Sequence, residues 1–135
     1  QEEFDNINNN DDLEKISNFI NSELIKIVSE SEFCQTEIAF TTAKKAKELY
    51  DGSESDIDVI LQGAVDLFIK TFDDTAIIVD YKTDHVTSKN GEEILRDRHK
   101  EQLRIYKEAV EDYYKLENIK TYVYSYVLSS LIEIE

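Results

Sequence analysis

The chain has 135 residues, 41% of them hydrophobic, and a formal net charge of −15 at pH 7; that is enough apolar material for one domain with a real core. No apolar run reaches the length of about 18 residues that a membrane-crossing helix needs, and no signal peptide is visible. A single cysteine, Cys34, excludes an internal disulfide and any four-cysteine zinc or iron–sulfur site, and the three glycines (Gly52, Gly63, Gly91) build no loop that would hold ATP by its phosphates.

Residues 1–10 are acidic and rich in Asn and read as a flexible tail, which leaves residues 11–135 as a single domain. Asp11 or Asp12 then caps a helix whose apolar stripe of Leu13, Ile16, Ile20, Leu24 and Ile27 predicts that it covers a sheet face. Residues 36–41 (TEIAFT) predict a short strand, residues 43–50 a helical or extended connector, and residues 51–56 a polar loop. Cys34 is expected in or near the core as an inert thiol, and a lone cysteine points to a reducing, cytoplasmic compartment. The chain has no methionine and stops while residues 131–135 still read as strand, so it is expected to be a piece of a longer protein.

Residues 65–69 and 76–81 are rich in Val, Ile, Phe and Tyr and predict two strands joined by a turn at 72–74. A hairpin centred near Asp73 sets Asp66 opposite Asp80. Like charges across a strand pair are destabilising. A bound divalent cation removes that penalty, because carboxylate oxygens are the natural ligands of Mg²⁺. Alternation puts Asp80 and Lys82 on one face and Tyr81 on the other. The Lys82 ammonium then stands beside the metal, where it orients a water or offsets phosphate charge, and the backbone carbonyl of Tyr81 is a further hard ligand. Metal-assisted phosphodiester hydrolysis requires such a set. The competing reading is a solvated sheet face, since an Asp-x-Lys triplet is common in acidic chains. The uninterrupted apolar run at 76–79, ended abruptly by Asp80, favours the metal, because a charge closing a buried strand is costly unless paired.

After a loop at 88–91, Asn90 and Glu93 have the spacing of a capping box. Leu95, His99, Gln102, Tyr106, Val110 and Tyr113 then fall on one helix face. Gln102 interrupts this inward stripe and needs partners or a site to serve. His99, one turn before it, and His85 read as hydrogen-bonded or surface residues rather than metal ligands. Lys89, Arg96, Arg98, Lys100, Arg104 and Lys107 gather on the same helix. They soften the objection that a net charge of −15 raises against a nucleic-acid enzyme, as does the charge of a bound metal. Residues 119–128 close the chain as a strand with Tyr122, Tyr124 and Tyr126 on one side, packed under a helix in preference to stacking bases.

Taken together, QGAVD at 62–66, IIVDYKTD at 77–84 and QLRIY at 102–106 resemble the RecB-like branch of the PD-(D/E)XK nucleases. The form is most like the C-terminal nuclease domains of bacterial helicase/nucleases of the AddA (RexA) type, and the resemblance covers residues 36–128. It implies an α/β, restriction-endonuclease-like mixed β-sheet flanked by helices, in agreement with the element order read above. It implies Asp66 and Asp80 as metal ligands, Lys82 as the catalytic lysine, and Gln102 and Tyr106 as the QxxxY pair that lines the site and contacts nucleic acid, Gln102 counting also among the catalytic residues. Gln62 and Gly63 would shape the strand beside the substrate, Arg98 and Arg104 join as candidate substrate contacts, and Thr83 and Asp84 would complete the signature by local hydrogen bonding. Glu37 sits where such domains carry a Glu on the first core strand; a further metal ligand and a partner for a basic residue both stay open. Relatives often place a metal-binding His on a helix before that strand, and no His precedes Gln35 here. The iron–sulfur cluster of some relatives is excluded by the cysteine count.

The implied function is a Mg²⁺-dependent deoxyribonuclease, with Mn²⁺ able to substitute, in the bacterial cytoplasm. It would act as an exonuclease on DNA single strands delivered by a helicase portion of the same chain, during double-strand break repair and recombination. A protein of the AddB/RexB type would be the partner, and ATP would serve only the helicase portion. Two readings compete: a non-catalytic nuclease fold kept for DNA binding or subunit docking, and an acidic interaction domain. An RNA substrate also stays open, since nothing in the sequence reads the 2′-OH.

Overall fold

A computed structural model describes residues 10–49 and 52–134. Of the predicted tail, residues 1–9 lie outside this range, and Asn10 already begins the first helix. Helices α1 (Asn10–Ile20) and α2 (Glu23–Ser29) precede β1 (Phe33–Lys45) and the single turn α3 (Ala46–Leu49). Then come β2 (Asp58–Lys70), β3 (Ala76–Lys82), the long α4 (Gly91–Tyr114), β4 (Ile119–Ser125) and β5 (Ser130–Glu133). The strands form one sheet in the order β1-β2-β3-β4-β5. The pair β3–β4 is parallel, with α4 as its crossover, and the other neighbours are antiparallel. This is the predicted mixed α/β sheet.

Apolar layers cover both faces. Under α4, Val65, Phe68, Ala76, Ile78 and Val123 meet Leu103 and Val110. On the other face Leu67, Ile69, Ile77, Val79 and Tyr124 meet Leu24 of α2, with Phe19 of α1 beside them. Strand β3 serves both layers, so Ala76, Ile77, Ile78 and Val79 are all buried and its sequence is apolar without alternation. Each large side chain so buried contributes about 1.5–3 kcal/mol. The turn into β3 lies where expected. Thr71 accepts the Thr75 N–H at 3.2 Å and bonds Asp73, and Asp74 takes a left-handed φ of 64°.

Elsewhere the expectations need correction. The N-terminal helix is broken in two: Ser22 is extended at φ −74°, ψ 162°, and the Asn21 amide turns back onto the Ser17 carbonyl at 2.9 Å. Both residue types compete with helical hydrogen bonding in this way. The stripe therefore splits, with Leu24 fully buried on the sheet and Leu13, Ile16 and Ile20 exposed. Strand β1 runs for 13 residues, far beyond 36–41, because it pairs along nearly all of β2. Of the connector at 43–50 and the loop at 51–56, Tyr50 and Asp51 lie outside the described residues. Cys34 is exposed on the edge strand β1 and not in the core, because the first half of that edge strand is exposed.

On α4, Asn90 occupies the N-cap without a side-chain cap bond, so no capping box forms. Tyr113 is 78% exposed, and its neighbour Tyr114 takes the inward place, stacked on Phe68 at 5.0 Å. The strand expected at 119–128 stops at Ser125, whose hydroxyl accepts the Leu128 N–H at 3.0 Å in the turn to β5. Tyr124 is buried with its ring 5.1 Å from Phe19, so it packs as expected.

Candidate active site where β2 and β3 part

The β2–β3 ladder runs from Lys70↔Ala76 to Leu67↔Val79 and ends there. The same register carried one step further sets Asp66 across from Asp80, as the hairpin predicted. The ladder between β1 and β2 is interrupted at the same level. Thr36 pairs with Leu67 and Ile38 with Val65, while Glu37, opposite Asp66, stands at φ 54°. A left-handed non-glycine residue costs roughly 1–3 kcal/mol. Alternation also fails here, since Val65 and Phe68 both face α4 whereas Leu67 and Ile69 face the other layer. Released from regular pairing, Asp66 accepts the Tyr81 N–H on its Oδ2 at 2.9 Å.

Asp80 is only 5% exposed. Its carboxyl is raised from an ordinary 3.8 to about 6, first by burial and then by the hydrogen-bonded carboxylate of Asp66, against the opposing charge of Lys82. The Lys82 ammonium lies 2.9 Å from Asp80 Oδ2. That contact lies off the hydrogen-bonding direction, because among the described residues Oδ2 is a buried oxygen with no hydrogen-bond partner. A buried, unsatisfied carboxylate oxygen beside a second carboxylate suits a hard cation. No three His, Cys, Asp or Glu side chains converge among the described residues. The donor set is therefore two carboxylates plus a backbone carbonyl, which suits a cation that keeps its waters, such as Mg²⁺, better than zinc. Glu37 does not join it: its side chain is exposed and lines a cavity of about 380 Å³ with Ile38, Phe40, Tyr113 and Tyr114.

Helix α4 supplies the facing wall. Gln102 Oε1 accepts from Lys82 Nζ at 3.1 Å, and Gln102 Nε2 donates to the Tyr106 hydroxyl at 2.9 Å. The inward Gln thus has its partners. Tyr106 leans on Phe40, ring centroids 5.1 Å apart, and both rings lie over Gly63. A Cβ at Gly63 would stand 2.9 Å from Phe40 Cζ and 3.2 Å from Tyr106 Cε1. The QG pair is thereby explained at its glycine, which lets the Tyr106 ring reach β2. Gly63→Ala is expected to push the rings apart and to cost about 1–3 kcal/mol, read as a lowered thermal midpoint; an unchanged midpoint would mean the rings give way freely.

Gln62 is exposed and pairs with Thr41 on the β1–β2 ribbon beyond Gly63. Asp84 does not bond locally, as expected for it, but reaches across to α4: its Oδ2 accepts from Arg98 Nη1 at 2.7 Å and lies 3.1 Å from His99 Nε2. Arg98 is thus near the site but committed to a carboxylate. Arg104, about 200° around the helix from Gln102, is tied to Glu101 and Glu108 and is not brought to the site. His85 is exposed. The residues that sequence reasoning missed are Phe40, signalled only by its alternation with Ile38, and the His99–Asp84 pair, signalled by a helical spacing to Gln102.

The family model of the PD-(D/E)XK nuclease superfamily matches residues 9–128. The chain is 34% identical over 107 residues to the A subunit of the ATP-dependent helicase/nuclease of Bacillus cytotoxicus, covering 73% of this chain and 8% of that protein. It is 34% identical over 121 residues to the protein of the same name from Staphylococcus haemolyticus, covering 84% and 9%. To that of Staphylococcus aureus it is 32% identical over 126 residues, covering 88% and 10%. The chain therefore spans 8–10% of the length of these curated relatives.

Proposed function

The chain belongs to the PD-(D/E)XK nuclease superfamily, and from that premise we propose that it hydrolyses phosphodiester bonds of single-stranded DNA at Asp66, Asp80 and Lys82. The observation that carries this reading is the buried Asp80 Oδ2, without a hydrogen-bond partner among the described residues, with Asp66 and Lys82 beside it. Asp66, Asp80 and the Tyr81 carbonyl would hold a divalent cation, Mg²⁺ foremost; when bound, it polarises a phosphoryl oxygen and makes water a stronger nucleophile. Lys82, held between Asp80 and Gln102, keeps a positive charge where charge grows on the phosphate. Gln102 spends its carbonyl on Lys82 and its amide on Tyr106, so the lysine is set from α4 as well as from its own strand.

Partners follow from the names of the relatives. DNA strands would come from a helicase portion of a longer protein, in the bacterial cytoplasm, with a partner of the AddB/RexB type, and the task would be trimming ends for repair and recombination. The charge distribution supports dependence on such delivery. Arg96, Arg98 and Arg104, half of the basic cluster named above, are paired with Glu92, Asp84 and Glu101. A chain of net charge −15 with its cations so occupied holds a phosphate backbone weakly by itself.

The test is incubation of the chain with end-labelled single-stranded oligonucleotide in Mg²⁺, with a circular strand and a chelated sample in parallel. Expected are shortening of the linear strand and no product in chelator or from the circle. Product formed in chelator would overturn the metal-dependent reading, and cutting of the circle would replace exonuclease by endonuclease.

A further inference from the structure

We propose that Asp84 is a positioning residue: by binding His99 and Arg98 it locks the end of β3 to α4 and so fixes the Lys82–Gln102 contact. Its consequence for catalysis rests on the nuclease reading above; its geometry does not.

Strand β3 ends at Lys82, and residues 83–87 have no regular structure. The backbone there is pinned from one side, where the Lys82 carbonyl accepts the Tyr126 N–H at 3.0 Å. From the α4 side there are two ties, one on each flank of Thr83. Lys82 Nζ meets Gln102 Oε1 at 3.1 Å, and Asp84 Oδ2 takes Arg98 Nη1 at 2.7 Å with His99 Nε2 at 3.1 Å. His99 and Gln102 are one helical turn apart, so strand end, two bridges and helix turn make a closed frame. A lysine side chain has much rotamer freedom to lose, and a neutral amide acceptor alone holds it only loosely. The stronger, charge-assisted tie is that of Asp84 with Arg98. The Asp84 and His99 side chains are 19% and 13% exposed, sheltered enough for the frame to resist water. Arg98, followed by His99, holds the Asp84 carboxyl below the usual range, so the tie persists at neutral pH. Committed to α4 in this way, Asp84 acts on the site through Gln102.

The experiment follows the Gln102 side-chain amide of the chain by ¹⁵N NMR, identified by its disappearance in Gln102→Ala. In Asp84→Ala its exchange with solvent is expected to speed up by about tenfold or more. In His99→Gln, whose amide can still donate to Asp84, exchange stays within about threefold of the parent. Methyl signals of Leu103 and Val110 report the packing of α4. Unchanged exchange in Asp84→Ala overturns the proposal, and so does faster exchange accompanied by collapse of those methyl signals, which would make Asp84 a general packing residue. Where Mg²⁺-dependent cleavage is measured, kcat falls in Asp84→Ala with KM unchanged, and falls less when Gln102 is already Ala. An equal fall in both backgrounds overturns action through Gln102. Absence of cleavage by the parent chain would count against the nuclease reading, while amide exchange still decides the positioning role.

Discussion

Replacing Asp80 by Asn is expected to abolish saturable binding of Mn²⁺ or Mg²⁺ at the β2–β3 site, and with it cleavage. Calorimetric titration beside the parent chain reads the first. The control is essential because a chain of net charge −15 collects cations loosely over its whole surface. The same substitution has an opposite effect on the metal-free fold. Asp80 titrates near 6 in the folded chain against an ordinary 3.8, so the folded state holds its proton the more tightly. The stability this group contributes is fully present below pH 3.8 and is lost as pH rises through about 6. Asn carries no such charge. Metal-free Asp80→Asn is therefore expected to unfold at a higher temperature than the parent at pH 7, and to lose the stabilisation that added Mn²⁺ gives the parent. Proton and cation compete for the Asp66–Asp80 pair, so the parent's apparent affinity for Mn²⁺ should rise by about tenfold between pH 5 and pH 7. Identical titration curves for parent and variant would remove Asp80 from the metal site.

The geometry that supports this expectation was partly legible in the sequence, and the division is physical. The hairpin register could be read because its determinants are local: an apolar run that ends at Asp80 and a turn of Thr71, Asp73 and Asp74 whose side chains bond one another. The Lys82–Gln102–Tyr106 chain was accessible because an inward Gln must find partners. What escaped depends on coverage by distant segments. Cys34 looks like a core residue until β1 is seen to be the sheet edge. Tyr113 and Tyr114 exchange roles because α4 arrives at Phe68 one residue out of the simple stripe. The left-handed Glu37 and the failed alternation at Asp66 arise from two ladders breaking at one level, which no single-strand pattern encodes. Asp84 needed the third dimension too, since its partners lie on a helix that starts several residues later.

Lys82→Ala separates charge at the metal from charge at the phosphate. Cleavage is expected to fall by about 10²–10³-fold, while the chain still binds Mn²⁺, because Asp66 and Asp80 remain. Lys82 opposes the upward shift of the Asp80 carboxyl, so its removal moves proton release by the pair to higher pH, and with it the onset of metal binding. Rate and Mn²⁺ affinity measured together from pH 6 to pH 9 divide the two roles. A deficit that persists after metal binding has saturated places Lys82 on the water or the phosphate. A deficit that vanishes at high pH would mean that Lys82 serves only to keep Asp80 ionised, and would remove it from the chemistry. Lys82→Arg should not restore the rate. The guanidinium is planar and longer, and the 3.1 Å bond to Gln102 leaves it no room to meet both Gln102 and Asp80 as the ammonium does. In a longer protein that carries this chain beside a helicase, unwinding should survive Lys82→Ala; equal loss of unwinding and cleavage would show that the lysine supports the fold rather than the cut.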